Sequence, residues 1–302
     1  MNSKFDQYYF LFTIFYLLKS KQLFRQFVSL NAIRFNIFMR KTQKELAFLR
    51  DLVVDNEWTR RFTELVDKHL GFKDERKFLY INAGTGNHII EISKKMGKDA
   101  EVFAVCEDED LLVIARDKGV ATKSAIDFSR TKFEDESFDA VLADASFVRP
   151  ETLPGFVTEA ARVVEPGGKV AFFAPSAGSF GEVFSLLWEV FFNEDMGEHG
   201  SVVEQLIAEI PTVSQIEDLA KNAGLENIET HSSNEIFEYE NGAEFVAAPL
   251  VADFLLPVWL KSLSENEQKK AIKKLAELVD AEDGSLTFRF SVKATLVVGE
   301  KE

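Results

Sequence analysis

The sequence predicts a doubly wound α/β fold, in which helices cover both faces of a mostly parallel sheet. Two observations support this prediction. Short apolar runs alternate with amphipathic stretches from about residue 77 onward, and the first of these runs, KFLYINAG, ends in a glycine turn. An apolar strand, a helix and a second strand within about 30 residues form the βαβ unit of a parallel sheet. The 302 residues are enough for one large domain with additions.

The predicted elements follow one another along the chain. The runs predicted as strands are KFLYINAG, EVFAVCE, ATKSAIDF, FDAVLADASF, KVAFFAP and the closing LTFRFSVKATLVVGEK, and helical periods lie between them. TVSQIEDLAKNAGLENIETHSS predicts one more helix and strand. Two aromatic-rich stretches, at about residues 177–213 and 240–285, predict helical insertions, the first of them over the carboxyl edge of the sheet.

The chain is predicted to divide at about residue 70, with a helical cap at 1–70 and the α/β domain at 71–302. Residues 1–45 hold eight basic and two acidic residues, although the net charge of the chain is -15. The apolar run YYFLFTIFYLL covers 11 residues, too few to span a bilayer, which takes about 20. This segment is expected either to pack on the protein or on a dimer mate, or to contact a membrane surface.

Composition disfavours several classes of function. The acidic body repels a phosphate backbone, so nucleic acid is not an expected partner. Cys106 is the single cysteine of the sequence, which excludes an internal disulfide and a cysteine-rich zinc site and suits a reducing cytoplasm. The four histidines lie far apart without ligand spacing, so no metal site is predicted.

The glycine turn in FLYINAGTGNHIIEI is the first candidate for a binding site. Gly84 and Gly86 lack Cβ atoms, so the backbone can bend sharply and approach a ligand at the start of the next helix. A tight turn without a ligand would use the same residues. A P-loop is excluded because no Gly-Lys-Ser/Thr follows, and the third glycine of a dinucleotide fingerprint would fall at Ile89, which disfavours a nicotinamide-dependent oxidoreductase.

Three later stretches make the turn more specific. FEDESFDAVLADASF at 133–147, EAARVVEPGGKVAFFAP at 159–175 and KATLVVGEK at 293–301 resemble, together with the turn, the class I S-adenosylmethionine-dependent methyltransferases, most closely the small-molecule branch. The resemblance is strong over about residues 75–175. It implies a seven-stranded sheet with an antiparallel last strand, and S-adenosyl-L-methionine bound across the carboxyl ends of the first strands.

The resemblance also implies which residues bind the cofactor. The turn from Asn82 to Asn87 matches the loop that faces the methionine end and the ribose. Cys106 and Glu107 match the segment that usually supplies an acid to the ribose hydroxyls, and Asp127 with Phe128 matches the pair at the adenine. Asp144, Ala145 and Ser146 match the end of the fourth strand, beside the methionine moiety and the methyl group. The implied cofactor-binding residues are Asn82, Ala83, Gly84, Gly86, Asn87, Cys106, Glu107, Asp127, Phe128, Asp144 and Ala145.

Two of these positions depart from the family pattern, because Asn82 and Cys106 each stand where an acid is usual. A charged hydrogen bond contributes roughly 1.5 to 3 kcal/mol, so the loss of the ribose acid would weaken cofactor binding by about one to two powers of ten. Glu107 either compensates or is a solvated surface acid. Asn82 can brace the loop through its amide.

The acceptor side is less defined by the sequence. His199 is a candidate base in a predicted lid, against a surface role, and Arg149 either binds an acceptor anion or pairs with Glu151. The leading hypothesis is methyl transfer to a small, partly apolar acceptor beneath aromatic-rich insertions. The alternative is a non-catalytic protein that binds S-adenosylmethionine or S-adenosylhomocysteine on the same fold.

Overall fold

The computed structural model describes residues 41–194, 196, 199–283 and 287–302. Residues 1–40, which hold most of the predicted cap and the basic apolar segment, lie outside the described residues. Along the described helices, none combines the length and the apolar character needed to cross a membrane.

A mixed sheet of seven strands forms the centre of the described structure. The strands are β1 Lys77–Ile81, β2 Glu101–Val105, β3 Ile126–Asp127, β4 Phe138–Asp144, β5 Val164–Ser176, β6 Leu225–Tyr239 and β7 Phe288–Lys301. Their order is β3-β2-β1-β4-β5-β7-β6, and the first five pair in parallel while β7 runs antiparallel between β5 and β6. The predicted doubly wound sheet with an antiparallel last strand is confirmed.

Helices cover both faces and the carboxyl edge of this sheet. They are α1 Gln43–Leu49, α2 Arg60–His69, α3 Asn87–Lys95, α4 Glu109–Thr122, α5 Leu153–Arg162, α6 Gly181–Asn193, α7 Gly200–Glu209, α8 Val213–Asn222, α9 Gly242–Ala247, α10 Leu256–Trp259 and α11 Glu265–Asp283. A π-helical section, Arg50–Thr59, joins α1 to α2, a second, Leu250–Leu255, precedes α10, and a 3-10 turn, Pro150–Thr152, precedes α5. The helices α6, α7 and α9 to α11 lie in the two predicted insertions.

Two strand predictions needed adjustment. The third strand was predicted over ATKSAIDF, but α4 continues to Thr122 and ends at Lys123 in the left-handed region, which leaves only Ile126 and Asp127 to pair with β2. β6 is longer than predicted, because it continues beyond Ser233 to Tyr239 and pairs with β7 as far as Phe288. Its extension brings Phe237 into a stack with Phe290, with ring centroids 4.9 Å apart.

The helical stretch before β1 packs on the domain through one buried stripe. It begins at Thr42, whose side chain accepts a hydrogen bond from the Glu45 N–H in a capping box. Buried positions then recur at helical spacing along the stretch, at Ala47, Arg50, Val54, Trp58 and Phe62. The stripe includes a charged residue, Arg50, which is 5% exposed.

Candidate functional site

The glycine turn after β1 has three residues in left-handed backbone conformation at the carboxyl edge of the sheet. Asn82, Gly84 and Gly86 all have positive φ angles, of 58°, 56° and 81°. Asparagine tolerates the left-handed region better than most residues. The Asn82 amide also donates to the Asp144 carbonyl oxygen at 3.1 Å. The neutral residue at the usual acid position therefore ties the turn to the end of β4.

Gly86 is required by packing as well as by its backbone angle. A Cβ atom there would lie 3.0 Å from the Ala115 Cβ and 3.3 Å from the Ala115 Cα on α4. A side chain at this position would therefore have to displace the helix that carries the next part of the site.

Glu107 points inward from the end of β2, although Cys106 occupies the position that matches the usual acid. Its carboxylate accepts a hydrogen bond from the Gly84 N–H at 3.1 Å through Oε2. Its other oxygen, Oε1, lies 2.9 Å from the Arg50 Nη2. Burial raises the pKa of the Cys106 thiol to about 12, so this residue is neutral and carries no charge for a ligand. Glu107 is thus the acid that this segment presents to the turn.

Arg50 is a site residue that we did not predict from the sequence. Its guanidinium lies over the Phe147 ring at 4.4 Å as well as beside Glu107, which connects the N-terminal helical stretch to both β2 and β4. The available signal was its spacing, since it is a charged residue on the apolar stripe that includes Ala47 and Val54. A buried charge needs a partner, and the pairing with Glu107 provides one.

Asp144 is a buried carboxyl group at the end of β4. Its Oδ1 accepts a hydrogen bond from the Ser146 N–H at 2.7 Å. Burial raises the pKa of Asp144 to about 7, and Arg50 opposes this rise while Glu107 adds to it. Near neutral pH the group therefore stands between its protonated and ionised forms, and a nearby cation would favour the ionised form.

Arg50, Asn82, Glu107 and Asp144 line a cavity of about 310 Å³, which we call the charged cavity. It is lined by Gln43, Leu46, Ala47, Arg50, Asn82, Glu107, Asp108, Leu111, Asp144, Phe147, Val148 and Phe254. The Arg50 Nε is buried and lacks a hydrogen-bond partner within the described structure. Three acidic residues, Glu107, Asp108 and Asp144, an unpartnered guanidinium N–H and the adjacent turn therefore suit a ligand that carries cationic, anionic and hydroxyl groups together.

Of the predicted cofactor residues, Asn82, Glu107 and Asp144 line this cavity, and the other eight do not. The Asp127 carboxylate accepts hydrogen bonds from Ser129, which lower its pKa, and Phe128 is buried against α4 beside Gly119. Neither lines the charged cavity, so their predicted contacts with adenine stay predictions. The Asn87 side chain faces away, toward Asp55 and Lys118.

A second cavity, of about 130 Å³, adjoins the first at Phe147, Val148 and Phe254, which line both. We call it the aromatic cavity, because six rings line it: Trp58, Phe147, Phe180, Phe184, Phe254 and Trp259. Ala145 and Ser146, which follow β4, also line it. The first insertion contributes Phe180 and Phe184 and the second contributes Phe254 and Trp259, while Trp58 comes from the N-terminal helical stretch.

The two predicted catalytic candidates lie outside the centre of the site. His199 lines neither cavity, and its Nε2 lies 3.3 Å from the Glu267 Oε1 on α11. The geometry gives no support to its predicted role as a base. Arg149 lines the aromatic cavity but pairs with Glu151 at 3.2 Å, with more than half of its side chain exposed.

Comparison with known proteins agrees with this geometry. Residues 79–172 match the family model described as a methyltransferase domain. The chain is 24% identical over 189 residues to the demethylmenaquinone methyltransferase of Staphylococcus aureus, a match that covers 58% of this chain and 76% of that protein. The predicted resemblance is confirmed, and the chain is an enzyme of the S-adenosylmethionine-dependent methyltransferase class. The cofactor of this class is S-adenosyl-L-methionine.

Solved structures place the fold in the same group. The YcgJ protein of Bacillus subtilis superposes with a TM-score of 0.52 at 15% identity, over 80% of this chain and 99% of that chain. The phosphoethanolamine N-methyltransferase 2 of Haemonchus contortus, solved in complex with S-adenosyl-L-methionine, superposes with a TM-score of 0.50 at 16% identity, over 86% of this chain and 57% of that chain. At such identities the likeness shows the fold alone.

Proposed function

We propose that the chain transfers the methyl group of S-adenosylmethionine to a small, partly apolar acceptor that is held in the aromatic cavity under the two helical insertions. The observation that carries this proposal is the meeting of the two cavities at Phe147 and Phe254. A ligand in the charged cavity and a ligand in the aromatic cavity would face each other there. Methyl transfer requires mainly this alignment.

The charged cavity fits the cofactor, which supplies a methyl group on a sulfonium cation when bound. In this proposal Glu107 accepts hydrogen bonds from the ribose hydroxyls. Each of its carboxylate oxygens now accepts one hydrogen bond, from Arg50 or from Gly84, and can accept another. The Arg50 guanidinium, with its unpartnered Nε, holds the carboxylate end. Asp144 supplies negative charge opposite the cation. Asn82 and Gly84 shape the turn that all three approach.

The aromatic cavity favours an apolar acceptor. Its six aromatic rings exclude water and offer flat surfaces to a ring or an alkyl chain. The name of the Staphylococcus aureus relative supports an acceptor of this kind more than a phosphorylated amine. We also propose that the enzyme is cytoplasmic, because a single cysteine suits a reducing compartment. Any contact with a membrane surface would be made by the basic, apolar N-terminal segment.

Transfer of labelled methyl groups tests the proposal. The full chain is incubated with S-adenosylmethionine labelled at the methyl group and with separate organic-soluble and water-soluble fractions of small metabolites. We expect label in the organic-soluble fraction with the wild type and with Gly71→Ala, whose added Cβ meets no atom within 4 Å, but not with Gly86→Ala. Transfer confined to the water-soluble fraction would contradict the apolar acceptor. Cofactor binding without any transfer would favour the non-catalytic alternative.

A further inference from the structure

The aromatic cavity contains two buried polar groups without partners. Within the described ranges, the Trp58 Nε1 and the Ser146 Oγ are both buried and neither has a hydrogen-bond partner in suitable geometry. Both residues line the aromatic cavity, and they are 1% and 5% exposed. Buried polar groups are normally paired, so each of these groups points to a ligand that completes it.

Trp58 and Ser146 both adjoin Phe147, at the end where the aromatic cavity meets the charged cavity. Trp58 packs on Phe147 with ring centroids 5.3 Å apart, and Ser146 precedes Phe147 in the chain. Phe147 also lines the charged cavity, so this end faces the methyl donor of the proposed function. Phe184 and Trp259 also line the cavity and offer apolar surface.

The chemistry of the two groups restricts what they bind. An indole N–H only donates, whereas a serine hydroxyl both donates and accepts. A single ligand oxygen can accept from Trp58 and bond with Ser146, and either a hydroxyl or a carbonyl satisfies both groups. The cavity size suits one aromatic ring, because an engineered apolar cavity of about 150 Å³ in another protein binds benzene.

We propose that the acceptor is an aromatic ring that carries an oxygen substituent, and that Trp58 and Ser146 bind this oxygen at the end of the aromatic cavity that faces the cofactor. This inference rests on the proposed function for its methyl donor, but the recognition of the ring is independent of the cofactor. The methylated atom is then this oxygen or a neighbour of it on the ring.

Binding of p-cresol and toluene to the full chain tests the inference without the cofactor. The two probes share a ring and a methyl group and differ by one hydroxyl. A cavity without hydrogen-bond partners prefers toluene, because p-cresol would lose its bonds to water. We expect the wild type to prefer p-cresol about tenfold, measured by ligand-observed NMR titration, since one well-placed hydrogen bond is worth about a factor of ten.

The variants Trp58→Phe and Ser146→Ala should each remove this preference or reverse it. Trp188→Phe is the matched control and should keep the preference, because it makes the same substitution at a tryptophan that is 44% exposed and lines neither cavity. If Trp58→Phe fails to fold, Ser146→Ala carries the test. A wild type that prefers toluene, or variants that keep the preference for p-cresol, would overturn the inference. A wild type that prefers p-cresol but does not bind S-adenosylmethionine would count against the proposed function and not against this inference.

Discussion

The charged and aromatic cavities share a wall, but they differ in how their buried polar groups are paired. In the charged cavity, Glu107 already bonds to Arg50 and to the Gly84 N–H, and Asp144 accepts from Ser146. In the aromatic cavity, Trp58 and Ser146 have side-chain groups that find no partner in the described structure. In the first cavity Glu107 and Asp144 are therefore held before a ligand binds and the Arg50 Nε is left without a partner, whereas in the second cavity both Trp58 and Ser146 gain their hydrogen bonds only from the ligand.

The two cavities differ in which segments of the chain supply their polar groups and walls. The groups of the charged cavity stand on the carboxyl ends of β1, β2 and β4, and the Arg50 pair with Glu107 ties the N-terminal helical stretch to them. The walls of the aromatic cavity come from that helical stretch, from the two insertions, from the segment that follows β4 and from the end of β5.

The largest expected effect is at Gly86, on the charged side. Gly86→Ala should reduce S-adenosylmethionine affinity by about two powers of ten, because a left-handed non-glycine residue costs about 1 to 3 kcal/mol and the added Cβ meets Ala115. Calorimetric titration measures it, with Gly71→Ala as the same substitution in open space. Equal affinities for the two variants would show that the turn does not approach the cofactor.

Glu107→Gln should weaken binding by about one to two powers of ten, because it removes a charged acceptor and leaves the buried Arg50 without its counter-ion. S-adenosylmethionine and S-adenosylhomocysteine should lose affinity equally, since they share the ribose. The control is Glu109→Gln, at a neighbouring acid whose side chain is 78% exposed. A loss confined to one of the two ligands would place Glu107 elsewhere along the cofactor.

Asp144 should make cofactor affinity depend on pH. Burial raises its pKa to about 7, and a cation beside it favours the ionised form, so S-adenosylmethionine should bind more tightly as the pH rises through 7. The affinity for S-adenosylmethionine should rise by at most about tenfold per pH unit, because a single proton is released. S-adenosylhomocysteine lacks the sulfonium charge and should respond less.

Calorimetric titrations with both ligands, from about pH 6 to about pH 8, check this pH dependence. Asp144→Asn cannot ionise and should flatten the response to S-adenosylmethionine. Arg50 and Glu107 face Asp144 and stay in place in this variant. If Asp144→Asn kept the wild-type slope, the titrating group would be a different one.

Arg149→Gln should have the smallest effect. Its pair with Glu151 has side chains that are 59% and 47% exposed, and such pairs contribute about 0 to 1 kcal/mol. We expect affinities for p-cresol and S-adenosylmethionine within about twofold of the wild type. A strong wild-type preference for 4-methylbenzoate over p-cresol that disappears in this variant would instead support an anionic acceptor held by Arg149.

Much of the fold could be predicted because it depends on local pattern. The alternation of apolar strands with amphipathic helices predicted the sheet. The glycine turn at the start of the next helix predicted the position of the charged cavity. The expectation that Asn82 braces the turn agrees with its bond to Asp144. These features lie within a few residues of one another or at the ends of adjacent strands.

The rest depends on contacts between distant segments. Arg50 and Trp58 enter the site from a helical stretch that precedes the domain, and only the packing of that stretch brings them to Glu107 and Phe147. His199 looked like a base in a lid, but the fold of the insertion pairs it with Glu267. Sequence spacing gives no information on such pairings, although a charged residue on an apolar stripe is a usable warning.

Calorimetric titration of the full chain with S-adenosylmethionine and with S-adenosylhomocysteine tests the central claim most directly, that the charged cavity holds the cofactor. The account predicts saturable binding of both ligands, one per chain, which Gly86→Ala and Glu107→Gln weaken and Gly71→Ala leaves unchanged. Absence of binding of either ligand at millimolar concentration, in a chain shown to be folded, would contradict it.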